Sequence, residues 1–280
     1  MCALSRPSRS IQIKTPDQLA LMRVAGRLVG ETLELLRAAA VPGVSTKELD
    51  ALAEDNIRRA GGVPSFLGYH GFTGTICASV NDEVVHGIPG DRVLREGDLV
   101  SIDCGAIVDG WHGDAAITVP VGEVPQVELD LVRAAEDAMW RGIAAARPDG
   151  RLTDISHAIE TTIEAAGAVD GREYGIVEDY GGHGIGTEMH MEPHLLNYGR
   201  PGKGPRLVPG IALAVEPMLT LGDHRTRTLE DGWTVVTVDG SRAAHVEHTF
   251  ALTPAGPWVL TALDGGAERL GELGLSVPAG

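Results

Sequence analysis

Four carboxylates and one imidazole stand where chemistry could be done: Asp103, Asp114, His183, Glu216 and Glu247. The first two flank Asp109-Gly110, a strong two-residue hairpin signal. If that turn sets the register, position 108 faces 111, 105 faces 114 and 103 faces 116. Asp103 and Asp114 then share one face as diagonal cross-strand neighbours, about 7–8 Å apart at the backbone. Two acids so placed can converge on cations. Their directly opposite partners, Gly105 and Ala116, are small and leave room. A bulge at Gly113 is the one irregularity that would spoil this register.

His183 lies in Gly181-Gly-His-Gly-Ile-Gly186, where glycines suit a backbone held close to an ion or a substrate. A dinucleotide loop is the competing idea, but its third glycine would fall on Thr187 and no apolar strand precedes it. Glu216 ends the apolar run 211–215, and Glu247 sits within Ala244-His-Val-Glu-His-Thr-Phe250. A carboxylate in an apolar strand is costly to bury unless paired or metal-bound. One imidazole and four carboxylates form a hard, oxygen-rich set suited to Mn, Fe(II), Co or Zn. Two divalent cations would balance the four negative charges, and without them the crowded acids should hold protons more tightly.

The elements that must position these groups can be read from caps and periodicity. Thr15-Pro-Asp-Gln18 and Ser45-Thr-Lys-Glu48 are capping boxes, each opening a helix; the second stops at Gly61-Gly62. Leu19, Met22, Val24, Leu28, Leu33 and Leu36 give the first helix its apolar positions. Strands are expected near 74–80, 98–108 and 112–121, helices near 125–146 and 153–166, and strands again near 211–216, 233–238 and 243–253. Two helices then strands, twice over, suggests an internal repeat. At an offset of 106, Ala39, Ala40, Pro42, Glu54, Ala60 and Gly61 match Ala145, Ala146, Pro148, Glu160, Ala166 and Gly167. At an offset of 113, Leu94, Gly97 and Asp103 align with Leu207, Gly210 and Glu216, an acid in both copies. Duplication predicts pseudo-twofold halves with the site at their joint. We expect an N-terminal arm over 1–14 lying across the surface, one catalytic domain over 15–256 with halves near 15–121 and 122–256, and a tail over 257–280.

At 280 residues the chain can bury a real core, and with only eleven aromatic residues that core must be mainly aliphatic. A net charge of −16 argues against a nucleic-acid or anionic-membrane surface, which needs clustered Lys and Arg. Cys2, Cys77 and Cys104 are odd in number and lack CxxC spacing, which fits a reducing compartment. Neither a signal peptide nor a run of eighteen apolar residues is visible, so a cytoplasmic protein without membrane association is expected.

The motifs together resemble the type I methionine aminopeptidases. They are Ser79-Val-Asn-Asp-Glu-Val-Val-His86-Gly-Ile-Pro, Ser101-Ile-Asp103, His112-Gly-Asp114, Gly182-His183-Gly-Ile-Gly, Val215-Glu216-Pro-Met and Val246-Glu247-His-Thr. The similarity runs from about Thr15 to Thr253, and without a long insertion between His183 and Glu216 the chain is similar to the short bacterial form. The resemblance implies the α/β (α+β) pita-bread fold, a central curved antiparallel sheet with helices outside. It implies a dinuclear centre in which Asp103 binds one metal, His183 and Glu216 the other, and Asp114 and Glu247 bridge. It implies removal of the initiator methionine from nascent polypeptide N-termini when the second residue is small, through a hydroxide made available by the two metals. Glu216 would be the general base, His190 would hydrogen-bond the carbonyl oxygen as it gains charge, and His86 would contact the peptide nitrogen.

By the same carry-over, Tyr69, Phe72, Cys77, Met189 and Trp233 would wall the methionine pocket together with His86 and His190. Phe66 and Met189 replace residues common in better-known members. The expected protein is a monomer, with the ribosome as a candidate partner. His70, His112, His157, His194, His224, His245 and His248 are assigned to structure or to the surface, with His112 and His248 near enough to ligands to support them. Two rivals are a proline-specific peptidase on the same fold, whose members usually carry a large extra N-terminal domain, and a non-catalytic binding relative, which typically loses metal ligands.

Overall fold

The computed structural model describes residues 10–277, so Cys2 and most of the expected arm lie outside the described residues. Both capping boxes form. Thr15 Oγ1 accepts from the Gln18 N–H and Gln18 Oε1 accepts from the Thr15 N–H, opening α1 (Pro16–Ala39). Ser45 and Glu48 make the same reciprocal pair at the start of α2 (Thr46–Arg59). Val24 is the exception to the apolar stripe of α1 and is 53% exposed, because it falls off the 3.6-residue face that carries Met22, Val29, Leu33 and Leu36 inward.

After α2 come β1 (Val63–Pro64), β2 (Ile76–Val80), β3 (Glu83–Val85), β4 (Asp98–Val108) and β5 (Trp111–Val121). Two more helices follow, α3 (Gln126–Ala145) and α4 (Leu152–Asp170). The rest is mostly short strands: β6 (Gly175–Ile176), β7 (Gly182–Gly184), β8 (Met191–Leu195), β9 (Ala212–Val215), β10 (Met218–Thr220), β11 (Thr226–Thr228), β12 (Val235–Thr237) and β13 (Ala243–His245). β14 (Glu247–Thr253), β15 (Gly256–Val259) and α5 (Ala267–Glu272) end the described chain.

The main sheet is antiparallel and runs β1-β4-β5-β14-β9-β7-β8, with β2 added on β4 and β15 on β14. Its middle is symmetric in plan. Strands β4 and β5 meet β9 and β14 at a β5–β14 seam, with Asp103 in β4 and Glu216 just after β9. Helices α1 and α2 cover β2, β4 and β5 through Val29, Leu33, Leu49, Ile76, Val100 and Ile102. Helices α3 and α4 cover β9 and β14 through Leu131, Ile143, Ile155, Leu213, Val215 and Phe250. These are the two related halves that the repeat implied, curved into one pita-bread sheet with the helices outside.

The β4–β5 hairpin keeps the expected register without a break, pairing Gly105 with Asp114, Asp103 with Ala116 and Val108 with Trp111. Ala106 pairs with Gly113, so no bulge interrupts it. Asp109 (φ 49°) and Gly110 (φ 79°) both take positive φ, as a type I′ turn demands. The strand expected over 243–253 is instead two. β13 pairs with β10, and β14 pairs with β5 and β9, so the chain changes sheets at Val246.

The ends of the described chain are tied down rather than laid loosely over the surface. The Lys14 N–H donates to Gly210 O at 2.8 Å, and its buried ammonium donates to Ile185 O beside the His183 loop. Burial lowers the Lys14 pKa to about 8. Beyond residue 256, β15 pairs with β14, and Leu270 of α5 packs in the second core. The Arg23 guanidinium donates to Leu260 O and Ala262 O, both at 2.6 Å, which fastens this segment to α1.

Candidate metal centre

Sheet register brings the five ligand candidates together. One row across the sheet reads Cys77, Asp103, Ala116 and Glu247 on β2, β4, β5 and β14. The next reads Gly105 and Asp114, then Thr249, Ala214 and His183 on β14, β9 and β7. Asp114 and Thr249 are joined directly, since the Thr249 hydroxyl donates to Asp114 O at 2.7 Å. Positions two apart on a strand share a face, so both rows present their side chains to the same side. Glu216 stands two residues after Ala214 on that face. Its backbone carbonyl accepts from Asn197 Nδ2 at 3.0 Å.

The room expected opposite Asp114 is already taken. A Cβ at Gly105 would lie 2.8 Å from Phe66 Cε1 and 2.9 Å from Ser65 Cβ, so the missing side chain makes space for the Phe66 ring. The glycines around His183 answer to backbone crowding. A Cβ at Gly182 would lie 2.2 Å from Ala214 O, and one at Gly184 would lie 2.2 Å from Glu192 O. Neighbouring strand backbones press on this loop.

The polar atoms fit divalent cations. Asp103 Oδ1, Asp114 Oδ1, Glu247 Oε1 and His245 Nε2 are buried without a hydrogen-bond partner. Such atoms cost free energy unless something completes them. Donor atoms of Asp114, His183 and Glu247 lie within 4.8 Å of one another, as do those of Glu216, His245 and Glu247. His183 Nδ1 meets Gly184 O at 3.0 Å, which makes Nδ1 the protonated nitrogen and leaves Nε2 as the free donor atom, 3.5 Å from Glu216 Oε1. Burial pulls the His183 pKa down to about 3, so the ring is neutral, the form that binds metal. The acids move the other way. Burial lifts Asp103 to about 7 and Glu216 to about 8. Asp114 and Glu247 rise well above the ordinary range through burial and through repulsion by the neighbouring carboxylates. This is what four crowded acids do when no cation neutralises them.

The centre forms the floor of a cavity of about 280 Å³. All the residues expected from the sequence line it: Tyr69, Phe72, Cys77, His86, Met189, His190 and Trp233 with the five ligand candidates. Phe66, Phe72, Cys77 and Met189 form a buried apolar cluster, backed by Tyr69, Ile88 and Trp233. Phe72 meets Trp233 edge-on at 5.1 Å. His86 holds a left-handed backbone (φ 60°), uncommon for a residue with a side chain, and its ring lies edge-on to Tyr180. Burial lowers the His86 pKa to about 4. His190 stands at the mouth, with Nδ1 2.9 Å from the Tyr69 hydroxyl.

Sequence reasoning missed several lining residues, among them Asp179, Tyr180, His194, Met218 and His245. His245 had a signal: it stands two residues before Glu247, at strand alternation. Asp179 and Tyr180 sit in a loop with no periodicity to reveal them. His248, expected to support a ligand, faces the other side of the sheet, edge-on to Trp140 at 5.0 Å and hydrogen-bonded to Thr261 Oγ1 at 2.8 Å. His112 is held by Ser65 Oγ at 3.1 Å and does not line the cavity.

Comparison with known proteins agrees with this geometry. Residues 20–254 match Metallopeptidase family M24. Methionine aminopeptidase 1 of Mycobacterium tuberculosis is 54% identical over 257 residues, covering 91% of this chain and 97% of that one. Methionine aminopeptidase 1 of Bacillus subtilis is 50% identical over 248 residues, covering 89% and 98%. The crystal structure of methionine aminopeptidase from Thermotoga maritima superposes with a TM-score of 0.87 at 42% identity, covering 90% of this chain and all of that one. Prolidase from Pyrococcus furiosus, at 20% identity and a TM-score of 0.71, shares the fold. With these matches across most of its length, the chain belongs to metallopeptidase family M24, among the type I methionine aminopeptidases.

Proposed function

We propose that this protein removes the N-terminal methionine from nascent polypeptides whose second residue is small, using two divalent cations of the Mn, Fe(II), Co or Zn type. The observation that carries the reading is the convergence of unpartnered buried carboxylate oxygens on the floor of an apolar-walled cavity of methionine-like chemistry. Asp103, Asp114, His183, Glu216 and Glu247 would hold the ions, which supply a hydroxide nucleophile at neutral pH and polarise the scissile carbonyl.

The protein's own groups supply the rest. Phe66, Phe72, Cys77, Met189 and Trp233 receive the methionine side chain, with Tyr69 at the rim, and an apolar wall rewards its burial. If the Tyr69 hydroxyl donates to His190 Nδ1, the proton of the neutral ring must sit on Nε2. That nitrogen can donate to the carbonyl oxygen as negative charge gathers on it. His86, which lines the cavity, would hydrogen-bond the peptide nitrogen. Glu216 takes the proton of the attacking water on its carboxylate. The new C–O bond forms, the C–N bond breaks, and Glu216 returns the proton to the departing amine. No helix among the described residues is long and apolar enough to cross a membrane, which accords with action on nascent chains in the cytoplasm.

The test uses chelator-stripped protein incubated with Met-Ala-Ser and with Ala-Pro-Ala, adding Mn, Co, Fe(II) or Zn one at a time. Metal-dependent release of free methionine from the first peptide alone is expected. Cleavage of the second alone would place the activity with proline-specific enzymes. No cleavage of either by folded protein would leave a binding role.

A further inference from the structure

One imidazole at this site is outside the set read from the sequence. His245 is 2% exposed, lines the cavity, and has no hydrogen-bond partner at Nε2. That nitrogen is 3.6 Å from Glu216 Oε2, too long for a hydrogen bond. Its backbone is clamped from the opposite half of the sheet. The His245 N–H reaches Thr118 Oγ1 at 3.0 Å and Ser101 Oγ at 3.2 Å, and the Thr118 hydroxyl donates to His245 O at 2.7 Å. Pairing with Met218 in β10 fixes the other side. The backbone that carries the ring toward the acids is therefore held by a rigid frame, and the ring itself is buried.

We propose that His245 is a sixth protein ligand of the metal pair, binding through Nε2 the ion that Glu216 and Glu247 hold. A lone pair on that nitrogen, facing two carboxylates at these separations, is repelled unless a positive charge lies among them. Donor atoms about 2.1 Å from one ion are about 3–4 Å apart; His245 Nε2 and Glu216 Oε2 stand 3.6 Å apart, and the donors of Glu216, His245 and Glu247 all lie within 4.8 Å of one another. The two groups of donors are then alike: Asp114, His183 and Glu247 in one, Glu216, His245 and Glu247 in the other, each with one imidazole and Glu247 shared. The second imidazole adds a neutral nitrogen donor and makes the centre softer at the same ligand charge, which favours Co(II), Fe(II) or Zn over Mn(II).

This rests on the two-metal reading above, and the experiment separates the two. An imidazole bound through Nε2 keeps its proton on Nδ1. The Co(II)-loaded full-length protein should therefore show two strongly shifted, solvent-exchangeable N–H proton resonances, from His183 and His245. His245→Gln, which keeps size and polarity, should lose one of them. In calorimetric titration with Co(II) that variant should bind one ion about tenfold to a hundredfold more weakly. One shifted resonance in the unaltered protein, or an unchanged titration in His245→Gln, would overturn the sixth ligand while leaving the metal pair intact. No Co(II) binding by the unaltered protein would overturn both. The resonance count in the unaltered protein needs no variant, so a folding defect in His245→Gln cannot obscure the result.

Discussion

The two halves of the chain bring acids to the same cavity by different means. In the first half, Asp103 and Asp114 ride on one unbroken hairpin of two eleven-residue strands joined by a two-residue turn. In the second half, His183, Glu216 and Glu247 come from three separate short strands, with His245 just across a switch between sheets. A continuous hairpin fixes two ligands through local register. The second half must fix its ligands through backbone crowding and long-range pairing, and it gains adaptable groups in return. His183, Glu216 and His190 all belong there, so most of the proposed proton-handling and donor chemistry does too.

The sharpest test of that division is Glu216→Gln. The amide oxygen can still ligate, but it cannot carry a proton. Release of methionine from Met-Ala-Ser should fall by about 10²–10⁴-fold at saturating metal, with an unchanged far-ultraviolet dichroism spectrum. A variant that kept full turnover would remove the second half's claim to the proton transfer.

Next in size are two glycine substitutions that compare how each half tolerates added volume. At Gly182 the new Cβ meets the Ala214 carbonyl, a backbone atom that cannot move without opening the β7–β9 pairing. Gly182→Ala should cost more than about 3 kcal/mol in urea denaturation. At Gly105 the first obstacles are the edge of the Phe66 ring, which can turn, and the Ser65 Cβ, which gives way only by a small shift of its backbone. Gly105→Ala should cost about 1–3 kcal/mol and should also raise the KM for Met-Ala-Ser, because Phe66 would be pushed into the pocket. Equal costs at the two positions would mean that the second half is no more crowded than the first.

The same contrast explains what could be read from the sequence. The hairpin register, with Asp103 and Asp114 on one face, and both capping boxes were legible, because each depends on neighbours within a few residues. Strands β3, β6, β7, β8, β10, β11 and β15 were not, because with two to five residues each they are defined by partners far along the chain. The continuous strand expected over 243–253 failed for that reason: alternation carries through Val246, but the pairing partners change there. His245 was assigned to structure although it stood at the alternation position of Glu247. What raises it to a ligand candidate is an unpartnered nitrogen, and only the packed structure reveals one.

The smallest effect separates the halves by proton linkage in the metal-free protein. An acid whose folded pKa is raised keeps a proton that the unfolded chain has released. Stability therefore falls as pH rises between the unfolded and folded pKa values, and levels off above the latter. Asp103, raised to about 7, and Glu216, raised to about 8, both contribute to that fall, together with Asp114 and Glu247, which rise well above the ordinary range. His86 and His183, lowered to about 4 and about 3, push stability the opposite way, but only below the unfolded imidazole pKa near 6.5. The interval from pH 7 to 8 lies above the histidine range. Over it, Glu216→Gln should flatten the fall in stability by up to about 1.4 kcal/mol per pH unit, one proton's worth. Asp103→Asn should flatten it less there and more below pH 7, because Asp103 is raised less. Urea midpoints measured at intervals of half a pH unit, in the presence of chelator, would resolve the two. If both variants flattened the profile equally throughout, the four acids would be titrating as one undivided cluster, and the halves would differ in construction but not in charge.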